Sequence, residues 1–195
     1  MRHYLQFGRF GFNLSGTQAL VMGILNITPD SFSDAGQYQL LEFALSRAEQ
    51  MIVDGVDIID IGGESSRPGA PPLPLQDELA RVMPVLYALR DCGKPLSVDT
   101  YKPEVMREAI LAGADMINDI NGFRAPGAIE AVQGSDCALC IMHMQNVPET
   151  MQAQPQYEDV VREVTDFLRG RIDTMTAAGI ARERIEVDVV GQLRH

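Results

Sequence analysis

A chain of 195 residues, 46% apolar and 22% charged, is long enough to bury one real core and has the composition of an ordinary globular domain. Its net charge of −11 and isoelectric point near 4.6 exclude non-specific nucleic-acid binding and adhesion to anionic membranes. They leave room for a small anionic substrate, which local loops decide. Three cysteines, a first fourteen residues without an apolar signal-type stretch, and the lack of any run of about 18 apolar residues read as a cytoplasmic protein of a reducing compartment.

In chain order, Tyr4–Leu14 alternates around Gly8 and Gly11 and predicts a small hairpin covering the bottom of the domain. Val21–Ile27 is an uninterrupted apolar run as far as Asn26 and predicts a strand buried on both faces; Thr28-Pro29-Asp30-Ser31 then breaks it. Leu40–Asp54 carries apolar residues at helical spacing, with Gly55 as its stop. Asp57–Ile61 is a second strand, followed by Gly62-Gly63-Glu64 and a Pro-rich loop to Pro74. Leu75–Cys92 is a helix that Pro84 can kink.

Leu96–Val98 is a third strand ending at Asp99, and Pro103 starts a helix that runs to Gly113. A fourth strand, Asp115–Ile117, ends at Asn118-Asp119. After a short helix over Ala128–Gln133, a fifth strand, Ala138–Met142, ends at His143. The long amphipathic helix Tyr157–Ala178 and a sixth strand, Arg184–Val190, complete the pattern. Strand and helix alternate throughout, so the right-handed crossover rule gives a parallel sheet covered by helices. Six strands fall short of a closed eight-fold barrel of about 250 residues. The reading is therefore an open doubly wound sheet or an incomplete barrel.

The strand ends are Asn26, Gly62-Gly63-Glu64, Asp99, Asn118-Asp119, His143 and Asp188. In a parallel sheet these share one rim. A rim of carboxylates and amides suits a ring rich in N–H donors, such as a pterin or a guanine, because one carboxylate can accept two adjacent N–H bonds. The competing reading makes each of them a cap or turn residue, roles that Asn and Asp also favour. Glu64-Ser65-Ser66-Arg67-Pro68-Gly69 places two hydroxyls and a guanidinium on a shaped loop that can bind an anion. His143 reads as a satisfied strand-end histidine, and Met83, Met106 and Met116 as core. Cys137 and Cys140 have Cys-x-x-Cys spacing, but without a second pair of ligands, and on a strand where i and i+3 point to opposite faces, they read as core rather than zinc or redox residues.

The words ILNITPDSFSDAG, DIGGESSRPGA, SVDTYKPEVMREAILAGADMINDI and MHMQNVPETMQ resemble the successive motifs of the bacterial dihydropteroate synthase family, over about Val21 to Asp188. The resemblance implies a (β/α)8 TIM barrel of the pterin-binding type, here incomplete at about six strands with an N-terminal hairpin, forming a single domain over 1–195. It implies an enzyme of folate biosynthesis that joins 4-aminobenzoate to 6-hydroxymethyl-7,8-dihydropterin diphosphate and releases pyrophosphate with Mg²⁺. Asn26 would contact the Mg²⁺-diphosphate. Ser66 and Arg67 would touch the diphosphate and the aminobenzoate end, with Pro68 shaping that pocket. Asp99, Asn118 and Asp188 would hold the pterin ring, with Ile120 and Met142 packing on its faces. No residue is assigned to acid–base catalysis. The loops Thr28–Tyr38 and Ser65–Leu73 would cover the aminobenzoate. That pocket is also the sulfonamide target, for which Phe32, Ser66 and Pro68 are the positions to watch.

After Asp188 the resemblance stops: Val189-Val190-Gly191-Gln192-Leu193-Arg194-His195 stands where the family continues with Pro-Gly and a Gly-Phe-Gly-Lys-like loop. The lysine and the Arg-x-His set that the family places later are not in this sequence, which reads as truncated or frameshifted after about residue 188. A diphosphate would then find mainly Arg67, and each missing charge-assisted contact costs about 1.5–3 kcal/mol. The expectation is a dihydropteroate synthase by descent, weak or inactive as this chain. The alternatives are a non-catalytic pterin-binding fragment or a pterin-dependent methyltransferase domain. The first and sixth strands are expected as open edges, and the helices of the family's homodimer are largely missing.

Overall fold

The computed structural model describes residues 4–13, 19–27, 37–64, 72–143 and 157–188. Strands β1 (Tyr4–Phe7) and β2 (Phe10–Asn13) pair antiparallel as the expected hairpin. Six further strands follow: β3 (Met22–Asn26), β4 (Ile58–Gly62), β5 (Leu96–Asp99), β6 (Met116–Asp119), β7 (Ala138–Met142) and β8 (Ile185–Asp188). Between them lie α1 (Gln37–Val53), α2 (Leu75–Leu89), α3 (Pro103–Ala112), α4 (Ala128–Gln133) and α5 (Val160–Ala177).

The six strands form one parallel sheet in the spatial order β3-β4-β5-β6-β7-β8, so each strand lies beside its predecessor. A doubly wound sheet reverses its order at a switch point. This one never reverses, which is how a barrel winds. The incomplete-barrel reading of the sequence is the one the topology supports.

Period-two alternation divides every strand between two environments. Leu25, Ile59, Ile61, Leu96, Val98, Ile117, Leu139, Ile141 and Ile185 face the helices and join the main core with Ala48, Val82, Leu86, Met106, Ala109 and Met175. The helices show the corresponding stripe: Val105, Met106, Ala109 and Ala112 are buried along α3, and Val82, Val85, Leu86 and Leu89 along α2. Pro84 lies inside α2 without interrupting it. Gly63 lets α2 approach β4: a Cβ there would stand 2.7 Å from Val82 Cγ2.

The opposite face turns inward. At its N-terminal end Phe7 of the hairpin packs with Ile58, Met116, Ala138 and Cys140, and the Phe7 and Phe12 rings meet edge to face at 5.5 Å. Arg9 fastens this plug, its Nε and Nη2 donating to Asp115 Oδ1 and Oδ2 at 3.0 and 3.1 Å. Cys140 thus faces the interior while Cys137 belongs to the helix-side core, so the pair does not converge as ligands.

One expectation needs correcting. β3 is not buried on both faces: Val21 is 57% and Ile24 54% exposed. Its run is apolar because one face meets α1 and the other the barrel interior, but it pairs only with β4, so the outer side is open. β8 is the other edge, and Val187 is exposed there. α2 also stops at Leu89, short of Cys92, and Val189 and Val190 of the expected sixth strand lie outside the described residues.

Candidate ligand site at the carboxyl ends of the strands

The strand register sets the site. Asn26 lies opposite Gly62, Gly62 opposite Asp99, Asp99 opposite Asn118, Asn118 opposite Cys140, and Cys140 opposite Glu186. Partners in a parallel ladder point to the same face, so Asn26, Asp99 and Asn118 form one inward row near the carboxyl ends of the strands. Asp188 and Met142 pair with each other one step further along, on the same face. Five residues singled out from the sequence therefore gather at one end of the barrel. Ile120 follows β6 in the loop above that end, half-buried. Ser66, Arg67 and Pro68, with the two loops expected to cover the site, lie outside the described residues, apart from the ends of those loops.

Gly62 keeps the row open between Asn26 and Asp99. A Cβ at that position would stand 3.1 Å from Asn26 Oδ1 and 3.9 Å from Asp99 Oδ2. Lacking a side chain, Gly62 leaves space between these two polar groups.

A second inward row lies beneath the first, and it went unnoticed in the sequence. Asp60 stands opposite Ser97 on β5, and both are buried, at 2% and 0% exposure. Asn118 Nδ2 reaches across to donate to Asp60 Oδ2 at 3.2 Å. Among the described residues, Asp60 Oδ1, Ser97 Oγ and Asn118 Oδ1 are buried side-chain oxygens without a hydrogen-bond partner. Orphaned buried acceptors are rare in native folds and mark places where a ligand or water completes the bonding. The available signal was an acid in the middle of the apolar strand Ile58–Gly62.

The acids perturb one another. Burial raises the Asp60 carboxyl, the nearby Ser97 hydroxyl and the Asn118 amide work the other way, and the Asp188 charge raises it further. Asp99 is pushed well above the ordinary carboxylate range, first by desolvation and then by Asp60, Asp119, Glu78 and Glu64. Groups so perturbed, gathered at one end of the sheet, are functional candidates.

Asp119 corrects the sequence reading. The expectation grouped it with Asn118 on the rim, but adjacent strand residues face opposite ways. Asp119 turns outward and is fully buried. Its Oδ1 accepts from Asn121 N and its Oδ2 from Phe123 N, both at 2.7 Å. Phe123 is held at a φ of 55°, a left-handed value uncommon for any non-glycine residue. Asp119 therefore shapes the loop after β6 and belongs to the turn-residue alternative.

Behind the site, Lys102 Nζ donates to Glu64 Oε2 and, at 2.5 Å, to Glu78 Oε2. Glu64 Oε1 accepts from Tyr101 OH at 2.8 Å and from Leu73 N at 3.1 Å, and Glu78 Oε1 from Thr100 Oγ1 at 2.6 Å. Burial works to lower the lysine, and its bonds to the two glutamates outweigh that and raise it. Glu64 is thus a structural acid tying α2, the β5–α3 loop and Leu73 together, rather than a rim acceptor for a ring. His143 meets the Phe167 ring edge to face at 5.0 Å, and burial lowers its pKa.

Among the described residues no cluster of three or more His, Cys, Asp or Glu side chains could hold a metal ion. No described helix is long and apolar enough to cross a membrane.

Against known families, residues 22–191 match the profile of the pterin binding enzymes. Dihydropteroate synthase of Neisseria meningitidis serogroup B is 46% identical over 190 residues, which cover 96% of this chain and 66% of that protein. The Escherichia coli K12 dihydropteroate synthase is 46% identical over 179 residues, covering 91% and 64%. In structure, Burkholderia cenocepacia dihydropteroate synthase complexed with 7,8-dihydropteroate superposes with a TM-score of 0.84 at 55% identity, over 95% of this chain and 62% of that one. The Xanthomonas albilineans enzyme with 4-aminobenzoic acid gives 0.86 at 43%, over 96% and 66%. The chain thus spans just under two thirds of the length of these relatives.

Proposed function

The chain belongs to the pterin binding enzyme family, and from that premise we propose that it acts in dihydropteroate synthesis, holding 6-hydroxymethyl-7,8-dihydropterin diphosphate for condensation with 4-aminobenzoate. The observation that carries this reading is the inward row Asn26–Gly62–Asp99–Asn118, with Asp188 one step beyond it. Relatives of that name, two of them with the product or the aminobenzoate bound, support it.

The ring's adjacent N–H groups are donors, and the row supplies acceptors. Asp99 and Asp188 offer carboxylates, and Asn118 Oδ1 offers an amide oxygen whose own N–H is already engaged. Met142 and Ile120 flank this end with apolar surface for the ring faces. In the reaction the aminobenzoate nitrogen forms a bond to the exocyclic methylene carbon while the carbon–oxygen bond to diphosphate breaks, and the amine loses a proton. Little acid–base work is needed. The protein's part is to hold the ring so that nitrogen and carbon meet in line. Ser66, Arg67 and Pro68 are proposed for the diphosphate and aminobenzoate ends, the pocket that sulfonamides would enter.

Mg²⁺ fits this chain in a limited way. Asn26 offers one exposed amide oxygen beside the gap at Gly62, a hard donor suited to magnesium. One such donor fits an ion carried in on the diphosphate rather than a dedicated protein cage. When bound, the ion would neutralise charge on the leaving group.

None of the six strands carries a lysine or arginine. The 195 residues by themselves should therefore hold the ring better than they stabilise the departing diphosphate. The test is calorimetry with 6-hydroxymethylpterin beside an assay of pyrophosphate release with both substrates. Ring binding with turnover far below that of the Escherichia coli relative is expected. Failure to bind the pterin refutes the reading, and turnover equal to that relative refutes the predicted weakness. Binding of methyltetrahydrofolate with no response to aminobenzoate would point to methyl transfer instead.

A further inference from the structure

Asp60 sits in the middle of β4, 2% exposed, on the inward face one residue pair below the rim. Its bond to Asn118 joins strands that are not neighbours, since β5 lies between β4 and β6. Ser97 stands opposite Asp60 on β5, the strand between the two partners. The bond also decides which way the Asn118 amide turns. When ionised, a carboxylate accepts and does not donate, so in that form it holds the NH₂ end of the amide. Turning the amide over would set its oxygen against the carboxylate and lose a charge-assisted bond. Asn118 Oδ1 is thereby committed as an acceptor, and it is one of the three buried oxygens left without a partner.

We propose that Asp60 is a positioning residue for ring recognition: it holds the Asn118 side chain so that Asn118 Oδ1 faces the interior to accept an N–H of the bound ring. The assignment rests on the pterin-binding reading and deepens it. Asp60 acts through Asn118 and does not touch the reacting atoms. The same geometry makes the second row selective. A ring that presents an N–H to Asn118 completes an unpaired acceptor, whereas one that presents another acceptor leaves two buried oxygens facing each other.

The test uses the whole chain, with 6-hydroxymethylpterin as probe and calorimetry as readout, in a cycle of Asp60→Ala, Asn118→Ala and the double variant. Asp60→Ala is expected to weaken binding at least tenfold, and Asn118→Ala by as much or more. The double variant is expected to bind no worse than Asn118→Ala, because the first change acts only through the second residue. Independent, multiplying losses overturn the proposal, as does an Asp60→Ala chain that binds like the unaltered one. Asp60→Asn keeps the volume and one acceptor oxygen, and should retain affinity within about threefold. An Asp60→Asn chain as weak as Asp60→Ala overturns the proposal even if Asp60→Ala folds poorly. The side-chain amide resonances of Asn118 in the ligand-free protein give a readout that loss of packing alone would not move. They should shift in Asp60→Ala and stay near their original place in Asp60→Asn, and no shift in Asp60→Ala overturns the proposal. If the unaltered chain binds no pterin, the functional reading itself fails and takes this assignment with it. If the unaltered chain binds and Asp60→Ala changes nothing, only this assignment fails.

Discussion

Acidification from neutral pH should stabilise this protein. Asp119 is fully buried, and desolvation raises its carboxyl to about 7 in spite of the Asn121 and Phe123 N–H groups that hold it down. In an unfolded chain a carboxyl of this type titrates near 3.9 (about the model-peptide value). Between those two values the folded state binds more protons than the unfolded one, so unfolding becomes harder as pH falls. Integrated from about pH 7 to about pH 5, this single group contributes about 2 kcal/mol, and below about pH 4 it adds nothing more. Asp60 and Asp99, also raised by burial, act in the same direction. His143 opposes them, because burial lowers it and the unfolded chain takes up its proton first. It is only half-buried, so its share is the smaller one. Urea unfolding followed by circular dichroism at about pH 7 and about pH 5 should give the higher midpoint at the lower pH with an unchanged slope. Relief of the overall charge of −11 acts the same way, and the variant Asp119→Asn separates the two effects. It should lose about 2 kcal/mol of the difference and keep the remainder. A native protein less stable at the lower pH, or an Asp119→Asn protein with the full pH response, would refute this account of the buried acids.

Three further outcomes follow from individual contacts. Lys102→Met leaves Glu64 and the 1%-exposed Glu78 without their cation and should cost about 3–5 kcal/mol in urea unfolding, part of which Glu78→Gln should restore in the double variant. Arg9→Ala takes a half-exposed guanidinium from the 1%-exposed Asp115, which keeps N–H bonds from Arg9 and Leu96, and should cost about 1–3 kcal/mol, while amide exchange in Tyr4–Phe7 and Phe10–Asn13 should rise and β5 and β6 stay protected. Binding of a ring with adjacent N–H donors should pull the raised Asp99 toward its ionised form and release protons; calorimetry in two buffers of different ionisation enthalpy measures this, and net proton uptake would contradict it.

Which parts of this structure could be read in the sequence depended on how local their causes are. The helix over Pro103–Ala112 needs only its proline start, its apolar spacing and Gly113, whose φ of 99° caps it, and the sequence places it to within a residue. Asp99 and Asn118 were legible because an acid or amide closing an apolar strand stands out against its neighbours. Asp119 misleads because adjacency along the chain is not adjacency on the rim: a one-residue step reverses the face. Asp60 stayed hidden inside DIIDI because its meaning comes from Asn118, which is 58 residues away and two strands over. Glu78 and Lys102 look like ordinary surface residues of a helix and a helix start; only the fold brings them together.

The distribution of charge then separates two tasks that the proposed reaction combines. The inward faces of the strands carry Asp60, Asp99, Glu186 and Asp188, and none of the six strands carries a lysine or arginine. Such an interior favours a ligand rich in N–H donors and works against a diphosphate, and the two parts of one substrate meet these opposite environments. On the proposed reading, ring recognition falls to the inward-facing strand residues. Charge neutralisation has to come from loops such as the one holding Arg67, from a bound cation, or from protein that pairs with the open edges β3 and β8. Raising salt should accordingly leave pterin affinity nearly unchanged and weaken binding of the pterin diphosphate. Equal salt dependence for the two ligands would mean that the acids on the strands take part in holding the diphosphate after all.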